Sequence, residues 1–324
     1  MALRFSVMAT SILMIMKVQN IIVWSVKMKY KIKSVLALIL LIIFFTGCDS
    51  KQTRPMLIST NLWVGYSPLY YAQEKGWLRE NNIKLIRTVS LAESLNTFQN
   101  RTSDVLCGTR YEIQKVSQNE SKPGSVILLD RSNGGDYILS NRSLDELKRA
   151  SKIDVFMEIE SVNSILLEFF MNMHGLKSSQ MNLINSSQII NSKLPMKKNA
   201  TLIITYEPYN IKLEKQGYII LGSTKEPDLL VIDAMYIPHR TKQKFTKEID
   251  RVNFVMFQSL KALKENPKEY FQTINKYYEY ANFTEFENSL NSIEWIYSNH
   301  SLVIKNRKES STKNFPKLIK PYQE

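Results

Sequence analysis

Polar and acidic side chains recur at positions where predicted strands of this sequence end. Asp130 and Glu158 each directly follow an apolar run, and Thr109 comes two residues after another. Ligands of open α/β sheets bind beyond the carboxyl ends of the strands, so these side chains are candidate ligand contacts. The alternative is structural, since Asp130 could bond a turn and Ser161 could simply cap its helix. The candidates selected by strand ends and helix caps are Thr109, Asp130, Asp136, Glu158 and Ser161.

The stretch 59–79 has the pattern of a strand, a turn and a helix. Ser67 and Pro68 predict an N-cap followed by proline at the first helical position. A helix start has unpaired backbone N–H groups, so this turn could hold an anion or a polar ligand, with Trp63 and Tyr66 beside it. The alternative is an ordinary strand–helix unit with two partly buried aromatic residues.

Predicted strands and helices alternate along most of the chain, which is typical of a parallel sheet with covering helices. Ser143 with Glu146 forms a capping-box start for one helix, and Ser161 caps the long apolar helix 162–174. The predicted strands are 56–61, 83–89, 104–107, 125–129, 137–140, 153–157, 183–184, 200–205, 218–221 and 229–233, and the predicted C-terminal helices are 245–263, 267–280 and 285–295.

Residues 1–47 have the pattern of a secretory signal peptide. Lysines precede an uninterrupted apolar run, and small residues stand before Cys48. A cysteine after Thr-Gly resembles a bacterial lipobox, in which that cysteine is lipidated and begins the mature protein, although Phe45 departs from the usual aliphatic residue. Residues 48–55 would then form a lipidated tether. The alternative is an uncleaved signal anchor, and Met28 is an alternative start.

Composition excludes several classes of protein. The net charge of the chain is +13, but the first 47 residues contain six basic and no acidic residues, which leaves +7 for the remainder. Those remaining basic residues are mostly mixed with acidic ones and no nucleic-acid-binding module is visible, so nucleic acid is not an expected partner. Cys48 and Cys107 are the only cysteines and the three histidines are isolated, so no metal site, cofactor or disulfide is predicted. Cys107 is interpreted as a packed thiol, and no catalytic residue is proposed.

Six short motifs occur in order along the chain. They are Gly65-Tyr66-Ser67-Pro68-Leu69, Ala72-Gln73-Glu74-Lys75-Gly76, Asp104-Val105, Gly134-Gly135-Asp136, Ser143-Leu144-Asp145-Glu146-Leu147 and Tyr206-Glu207-Pro208-Tyr209. Behind a lipobox, this order resembles the substrate-binding proteins of ABC transporters, in the class for nitrate, sulfonate, taurine and thiamine precursors. The resemblance extends over nearly all of the mature chain.

The resemblance implies an α/β periplasmic-binding-protein fold of type II, in which two lobes hold a ligand in the cleft between them. By this analogy lobe one comprises 56–136 and 236–305, lobe two comprises 137–235, and 306–324 is a basic tail. Ligand contact with both lobes favours the closed form, which a membrane partner recognises, so no covalent chemistry is required. The Gly-Tyr-x-Pro and Glu-Pro turns border the cleft in this family, which extends the candidate ligand-binding residues to Trp63, Tyr66, Ser67, Tyr206 and Glu207.

These features predict a monomeric, lipid-anchored protein of the cell envelope, periplasmic or extracellular, that captures a small molecule and delivers it to an ABC importer. An enzyme is not expected, because the thiamine-precursor-forming enzymes of this fold carry a clustered-cysteine motif that this sequence lacks. The candidate cleft has carboxylates and aromatic rings with few cations, which favours a thiamine-precursor pyrimidine or another amine-bearing ligand over sulfonate or nitrate. Two alternatives stay open: a sensory lipoprotein that signals ligand occupancy to a membrane signalling protein, and a structural lipoprotein without a ligand.

Overall fold

A computed structural model describes residues 54–226 and 229–297 and the strand 317–318. The predicted signal peptide 1–47, the lipidated Cys48, most of the tether 48–55 and most of the tail 306–324 lie outside the described residues. Within the described ranges, no helix is both long enough and apolar enough to cross a lipid bilayer.

The strands of the described chain form two sheets, and each sheet is the centre of one lobe. They are β1 (Met56–Thr60), β2 (Ile83–Arg87), β3 (Val105–Thr109), β4 (Ser125–Ser132), β5 (Asp136–Ser140), β6 (Ile153–Met157), β7 (Met181–Asn185), β8 (Thr201–Tyr206), β9 (Ile219–Ser223), β10 (Ile232–Ile237), β11 (Ile293–Trp295) and β12 (Lys317–Leu318). The sheet of lobe one has the order β11-β4-β10-β3-β1-β2, with β12 beside β4. The sheet of lobe two has the order β7-β6-β8-β5-β9.

Each sheet contains parallel strands together with a strand that runs against its neighbours. In lobe one, β1 is parallel to β2 and β3, whereas β10 is antiparallel to β3 and β4. In lobe two, β6 is parallel to β7 and β8, whereas β5 is antiparallel to β8 and β9. Every residue of β3 and of β8 is buried, as expected for central strands covered on both faces.

Helices cover both sheets, and several begin at the predicted signals. They are α1 (Ser67–Glu74), α2 (Trp77–Glu80), α3 (Leu91–Gln99), α4 (Arg110–Ser117), α5 (Leu144–Arg149), α6 (Val162–His174), α7 (Gln188–Asn191), α8 (Tyr209–Lys215), α9 (His239–Lys244), α10 (Thr246–Glu265), α11 (Pro267–Tyr278) and α12 (Phe283–Leu290). The capping box of Ser143 and Glu146 is confirmed at α5. The Ser161 cap is confirmed at α6, which ends at Gly175 in the left-handed conformation.

An aromatic cluster in lobe one fixes the position of α1. Tyr71 of α1 stacks on Tyr270 of α11 with ring centroids 4.4 Å apart, and Phe286 of α12 stacks on the same ring at 6.2 Å. Tyr270 and Phe286 are fully buried. Large buried rings in contact contribute both apolar area and specific geometry, so this cluster anchors the loop that joins β1 to α1.

Two crossover segments join the lobes, one between β4 and β5 and the other between β9 and β10. The Thr224 hydroxyl in the second segment accepts from the N–H groups of Gly134 (3.0 Å) and Asp136 (3.2 Å) in or beside the first. Thr224 therefore holds the two crossovers together where the lobes would pivot. The predicted lobe limit between residues 235 and 236 falls inside β10, whose pairings all lie in the sheet of lobe one.

Three predicted elements differ from the structure because tertiary contacts override local sequence preference. The helix predicted over 285–295 ends at Leu290, and β11 follows it and pairs with β4. The strand predicted over 229–233 begins at Ile232 and continues to Ile237. Ser67 is the first residue of α1 and not its N-cap, and its hydroxyl bonds the Tyr270 hydroxyl at 3.1 Å.

Candidate ligand-binding site

The loops at the strand ends of the two lobes meet around a small cavity of about 10 Å³. This is about the space that one water molecule needs, so the lobes are closed on each other. Its lining includes Asn61, Trp63, Thr109, Asp136, Tyr206 and Asp233, which come from both lobes.

Five carboxylates lie in or beside this cavity, and none is more than 4% exposed. None of the ion pairs in the described part of the chain includes any of them. A buried carboxylate without a cation is costly unless hydrogen bonds or a proton compensate it. The five are Glu112, Asp130, Asp136, Glu158 and Asp233.

Two of these carboxylates bond helix starts of the opposite lobe. Glu158 of lobe two accepts from the N–H of Leu91, the first residue of α3 in lobe one, at 3.0 Å. Glu112 of lobe one accepts from the N–H of Val162, the first residue of α6 in lobe two, at 2.9 Å. The N-terminus of a helix attracts anions through its free N–H groups and its dipole. The protein's own carboxylates therefore occupy both of these anion-binding positions.

A second set of hydrogen bonds crosses the interface through Tyr206. The Asn61 amide donates to the Tyr206 hydroxyl at 2.7 Å, and that hydroxyl donates to Glu158 at 3.4 Å. The rings of Tyr206 and Trp63 are nearly perpendicular, with their centroids 6.0 Å apart, and the Trp63 indole N–H donates to Asp130 at 3.0 Å. Tyr206 thus connects the polar groups of both lobes.

Several buried acceptor atoms in this region have no donor within the described part of the chain. They include Oδ2 of Asp136, Oδ2 of Asp130 and Oδ1 of Asn61. Asp136 and Asn61 both line the cavity and are only 4% and 1% exposed. An unsatisfied buried acceptor destabilises a fold, so these atoms are positions where a ligand can supply donors.

Burial raises the pKa of the carboxyl groups around the cavity. It raises the pKa of Glu158 to about 8, against the opposing N–H of Leu91. Burial also raises the pKa of Asp136 to about 7, where the Ser132 hydroxyl opposes it and the charge of Glu112 adds to it. The pKa of Asp233 is raised by burial and by the neighbouring charge of Asp130. Low-dielectric surroundings favour the neutral acid, and a bound cation would favour the charged form.

The structure brings most of the predicted site residues together. Trp63, Thr109, Asp136 and Tyr206 line the cavity. Asp130 and Glu158 bond lining residues, as described above. Ser161 caps α6 beside the cavity, where its hydroxyl donates to the Glu158 carbonyl at 2.7 Å.

Three predicted residues lie away from the cavity lining. Tyr66 is fully buried outside the lining, and its hydroxyl donates to Asp233, which lines the cavity. Ser67 bonds α11, so the predicted ligand-holding start of α1 faces the interior of lobe one. Glu207 accepts from Tyr137 at 2.9 Å and from Asn210 at 3.3 Å, outside the lining.

Three residues that the sequence analysis did not select belong to the site: Asn61, Glu112 and Asp233. Asn61 follows β1, so the strand-end argument applied to it. Asp233 is the second residue of β10, and the predicted strand 229–233 had placed it at a strand end instead. Glu112 stands three residues after Thr109, which is the spacing of a capping box, and that box is present. Its second bond to the opposite lobe had no sequence signal, because it depends on how the lobes meet.

A larger chamber of about 330 Å³ lies beside the small cavity, between α7 and α8 of lobe two and the end of α11 in lobe one. Tyr209, Tyr278 and Tyr280 form aromatic walls. Two ion pairs cross from lobe two to lobe one in its lining: Lys212 to Glu279 at 3.0 Å and Lys215 to Glu285 at 2.7 Å. The loop after β1 contributes to both the chamber and the small cavity, and the end of β8 lines the small cavity while the turn after it lines the chamber.

No family model and no curated protein matches this sequence. Solved structures match its fold: the ligand-binding component of an ABC-type import system from Staphylococcus aureus, with zinc bound, superposes with a TM-score of 0.62 at 13% identity over 82% of this chain and 97% of that one. The alkanesulfonate-binding protein from Xanthomonas axonopodis pv. citri, bound to MOPS, gives 0.57 at 14% identity over 74% and 86%. The aliphatic sulphonate binding protein from Escherichia coli gives 0.57 at 12% identity over 79% and 93%.

This chain has the periplasmic-binding-protein fold. The predicted fold class, α/β with two lobes and a cleft between them, is thereby confirmed. At these identities the similarity concerns the fold, and the ligands of the three proteins are theirs. In the described part of this chain, no three His, Cys, Asp or Glu side chains are placed to hold a metal ion.

Proposed function

We propose that this protein binds a small solute between its lobes and delivers it to an ABC importer. The observation that carries the proposal is the polar cavity at the lobe interface, whose buried acceptors on Asp136 and Asn61 have no donors in the described chain. A solute that supplies donors to both lobes would stabilise the closed form over the open form. The two-lobed fold supports the same mechanism, because closure can pivot at the crossovers joined by Thr224.

The proposal includes the location and the partners expected from the sequence. Lipid on Cys48 would anchor a monomer to the membrane at the cell envelope, where a permease would receive the closed form. We place the lobe limits at the two crossovers, 133–135 and 224–231. The carboxylates of the cleft favour an amine-bearing ligand, such as a thiamine-precursor pyrimidine, over sulfonate or nitrate.

The test is a ligand screen on the full-length protein in detergent, in which tryptophan fluorescence reports the thermal unfolding of the protein. The panel contains thiamine precursors, polyamines, amino acids, sulfonates and nitrate. A ligand at about a hundredfold excess over its Kd should stabilise the protein by about 2.7 kcal/mol, which raises Tm by a few degrees.

A matched pair of variants then places the ligand. Tyr206→Phe removes the hydroxyl that joins Asn61 to Glu158 at the cavity and should weaken binding. Tyr218→Phe removes a hydroxyl that bonds Pro195 within lobe two and should leave binding unchanged. A panel in which nothing raises Tm would contradict the solute-binding function and favour a structural lipoprotein.

A sensory role is the second candidate, and the crossed bonds of Glu158 and Glu112 favour it. In these bonds, side chains of one lobe contact the backbone of the other lobe in the closed form. Formation of the closed form would then report ligand occupancy to a membrane signalling protein. Gene neighbours separate the two roles: permease and ATPase genes indicate import, whereas a kinase or cyclic-dinucleotide enzyme gene indicates sensing.

A further inference from the structure

We infer that the cleft binds the charged end of its ligand as a primary ammonium group and rejects anionic headgroups. The inference rests on the proposed solute-binding function and adds the chemical class of the headgroup. Three observations carry it: the crossed carboxylate bonds, the unpaired acceptors, and the size of the cavity.

The hydrogen bonds between Glu158 and Leu91 and between Glu112 and Val162, which cross between the lobes, exclude an anion from the two helix starts that would attract it. The starts of α3 and α6 face the cleft, and their first N–H groups are bonded to Glu158 and Glu112 at 3.0 and 2.9 Å. A sulfonate or carboxylate ligand would have to displace these side chains. It would also find no cation paired with the carboxyl groups around the cavity, because none of the ion pairs in the described chain includes any of them.

The unpaired acceptors require a ligand that donates hydrogen bonds. Asp136 is 4% exposed and lines the cavity, and its Oδ2 has no donor within the described residues. The Tyr206 hydroxyl has one proton, which it donates to Glu158, and it accepts a hydrogen bond from the Asn61 amide N–H. The Tyr206 hydroxyl therefore has no proton left for Asn61 Oδ1, which has no donor within the described residues. An ammonium group supplies three N–H donors and a positive charge.

The size of the cavity selects a primary ammonium group over a methylated one. About 10 Å³ is close to the space of a single water molecule, which an –NH₃⁺ group can use. A trimethylammonium group is larger and has no N–H, so it would leave the acceptors of Asp136 and Asn61 unpaired. The cleft should therefore distinguish amines by their degree of methylation as well as by charge.

The experiment compares ligands that share a body and differ only in the headgroup. Butylamine, butyltrimethylammonium and butanesulfonate form one set, and the same three heads on a benzyl and on a pyrimidinylmethyl body form two more. Calorimetry on the full-length protein in detergent at pH 7 measures their affinities. The expected result is that at least one primary amine binds, at least tenfold more tightly than its trimethylammonium and sulfonate counterparts.

Variants assign the selectivity to the named side chains. Asp136→Asn should reduce the preference for amine over sulfonate at least tenfold, and Glu158→Gln should raise the affinity for the sulfonate. Asp154→Asn changes a carboxylate of lobe two that bonds Asn182 and Asn199 instead, and should leave the preference unchanged. The comparison of ligands on the unmodified protein stands even if a variant fails to fold.

The outcomes separate this inference from the function on which it rests. A sulfonate or a trimethylammonium compound that binds as tightly as the matched amine would overturn the headgroup inference and leave solute binding intact. Binding of some other solute from the broad panel, with no amine bound in any set, would also overturn it. Failure of every compound would overturn both proposals.

Discussion

Replacing Asp136 by Asn should change how the stability of the protein depends on pH. Burial raises the pKa of the Asp136 carboxyl group from 3.8 to about 7. The folded protein therefore keeps this proton up to about pH 7, whereas the unfolded chain releases it near pH 3.8. Between these values the folded state binds more protons, so the free energy of unfolding falls as pH rises. The stabilisation that comes from the proton on Asp136 is fully present below about pH 4, decreases as the pH rises, and is lost above about pH 7.

The magnitude follows from the two pKa values. A difference of about three between folded and unfolded pKa corresponds to about 4 kcal/mol, at about 1.4 kcal/mol for each pH unit. Asparagine has nearly the same shape and does not titrate, so the variant loses this part of the pH dependence. As the pH rises from 4 to 8, the free energy of unfolding of Asp136→Asn minus that of the unmodified protein should increase by up to about 4 kcal/mol.

Urea unfolding of both proteins without ligand, at unit steps from pH 4 to pH 8, measures this difference. Asp154→Asn is the matched control, because hydrogen bonding to Asn182 lowers the Asp154 pKa, so that this group is ionised in both states above about pH 5. The reasoning is refuted if the stability difference between Asp136→Asn and the unmodified protein stays constant across these pH values.

Three further predictions concern other parts of the described chain. Gly65→Ala should cost about 1–3 kcal/mol in urea unfolding, because the added methyl group would overlap the Asp130 carboxylate, whereas Gly222→Ala meets ordinary contacts only; equal losses would contradict this. Burial raises the pKa of Cys107, so a thiol reagent at pH 8 should modify it in urea but not in the folded protein, as mass spectrometry would show. Lys215→Met removes the partly exposed ion pair with Glu285 and should change the free energy of unfolding by no more than about 1 kcal/mol. A larger loss in urea unfolding would contradict its assignment as an ordinary surface ion pair.

Local sequence signals predicted the elements whose stability depends on neighbouring residues. The capping serines at 143 and 161 are present where their spacing placed them, and the fully buried β3 and β8 correspond to predicted apolar runs. The misplaced elements depend on distant partners. β11 is a three-residue strand that exists because it pairs with β4, and nothing within residues 293–295 distinguishes it from the end of a helix.

The same distinction applies to the candidate site. Strand-end positions predicted Thr109 and Glu158, because these depend on where each strand stops, whereas Tyr206 was predicted from the resemblance to substrate-binding proteins. The roles of Glu112 and Glu158 at helix starts of the opposite lobe depend on how two separately folded lobes meet. The relative position of the two lobes is not determined by the local sequence of either lobe, so neither sequence periodicity nor capping signals could predict these bonds.

Proton release on ligand binding tests the central claim most directly. If a primary amine binds against carboxylates whose pKa is raised, to about 7 for Asp136 and about 8 for Glu158, it favours their charged forms and displaces protons. Calorimetric titrations at pH 6 in buffers with different enthalpies of ionisation give the number of protons exchanged. The account predicts net proton release, and less of it for Asp136→Asn. Binding without proton exchange, or with proton uptake, would show that the ligand lies elsewhere.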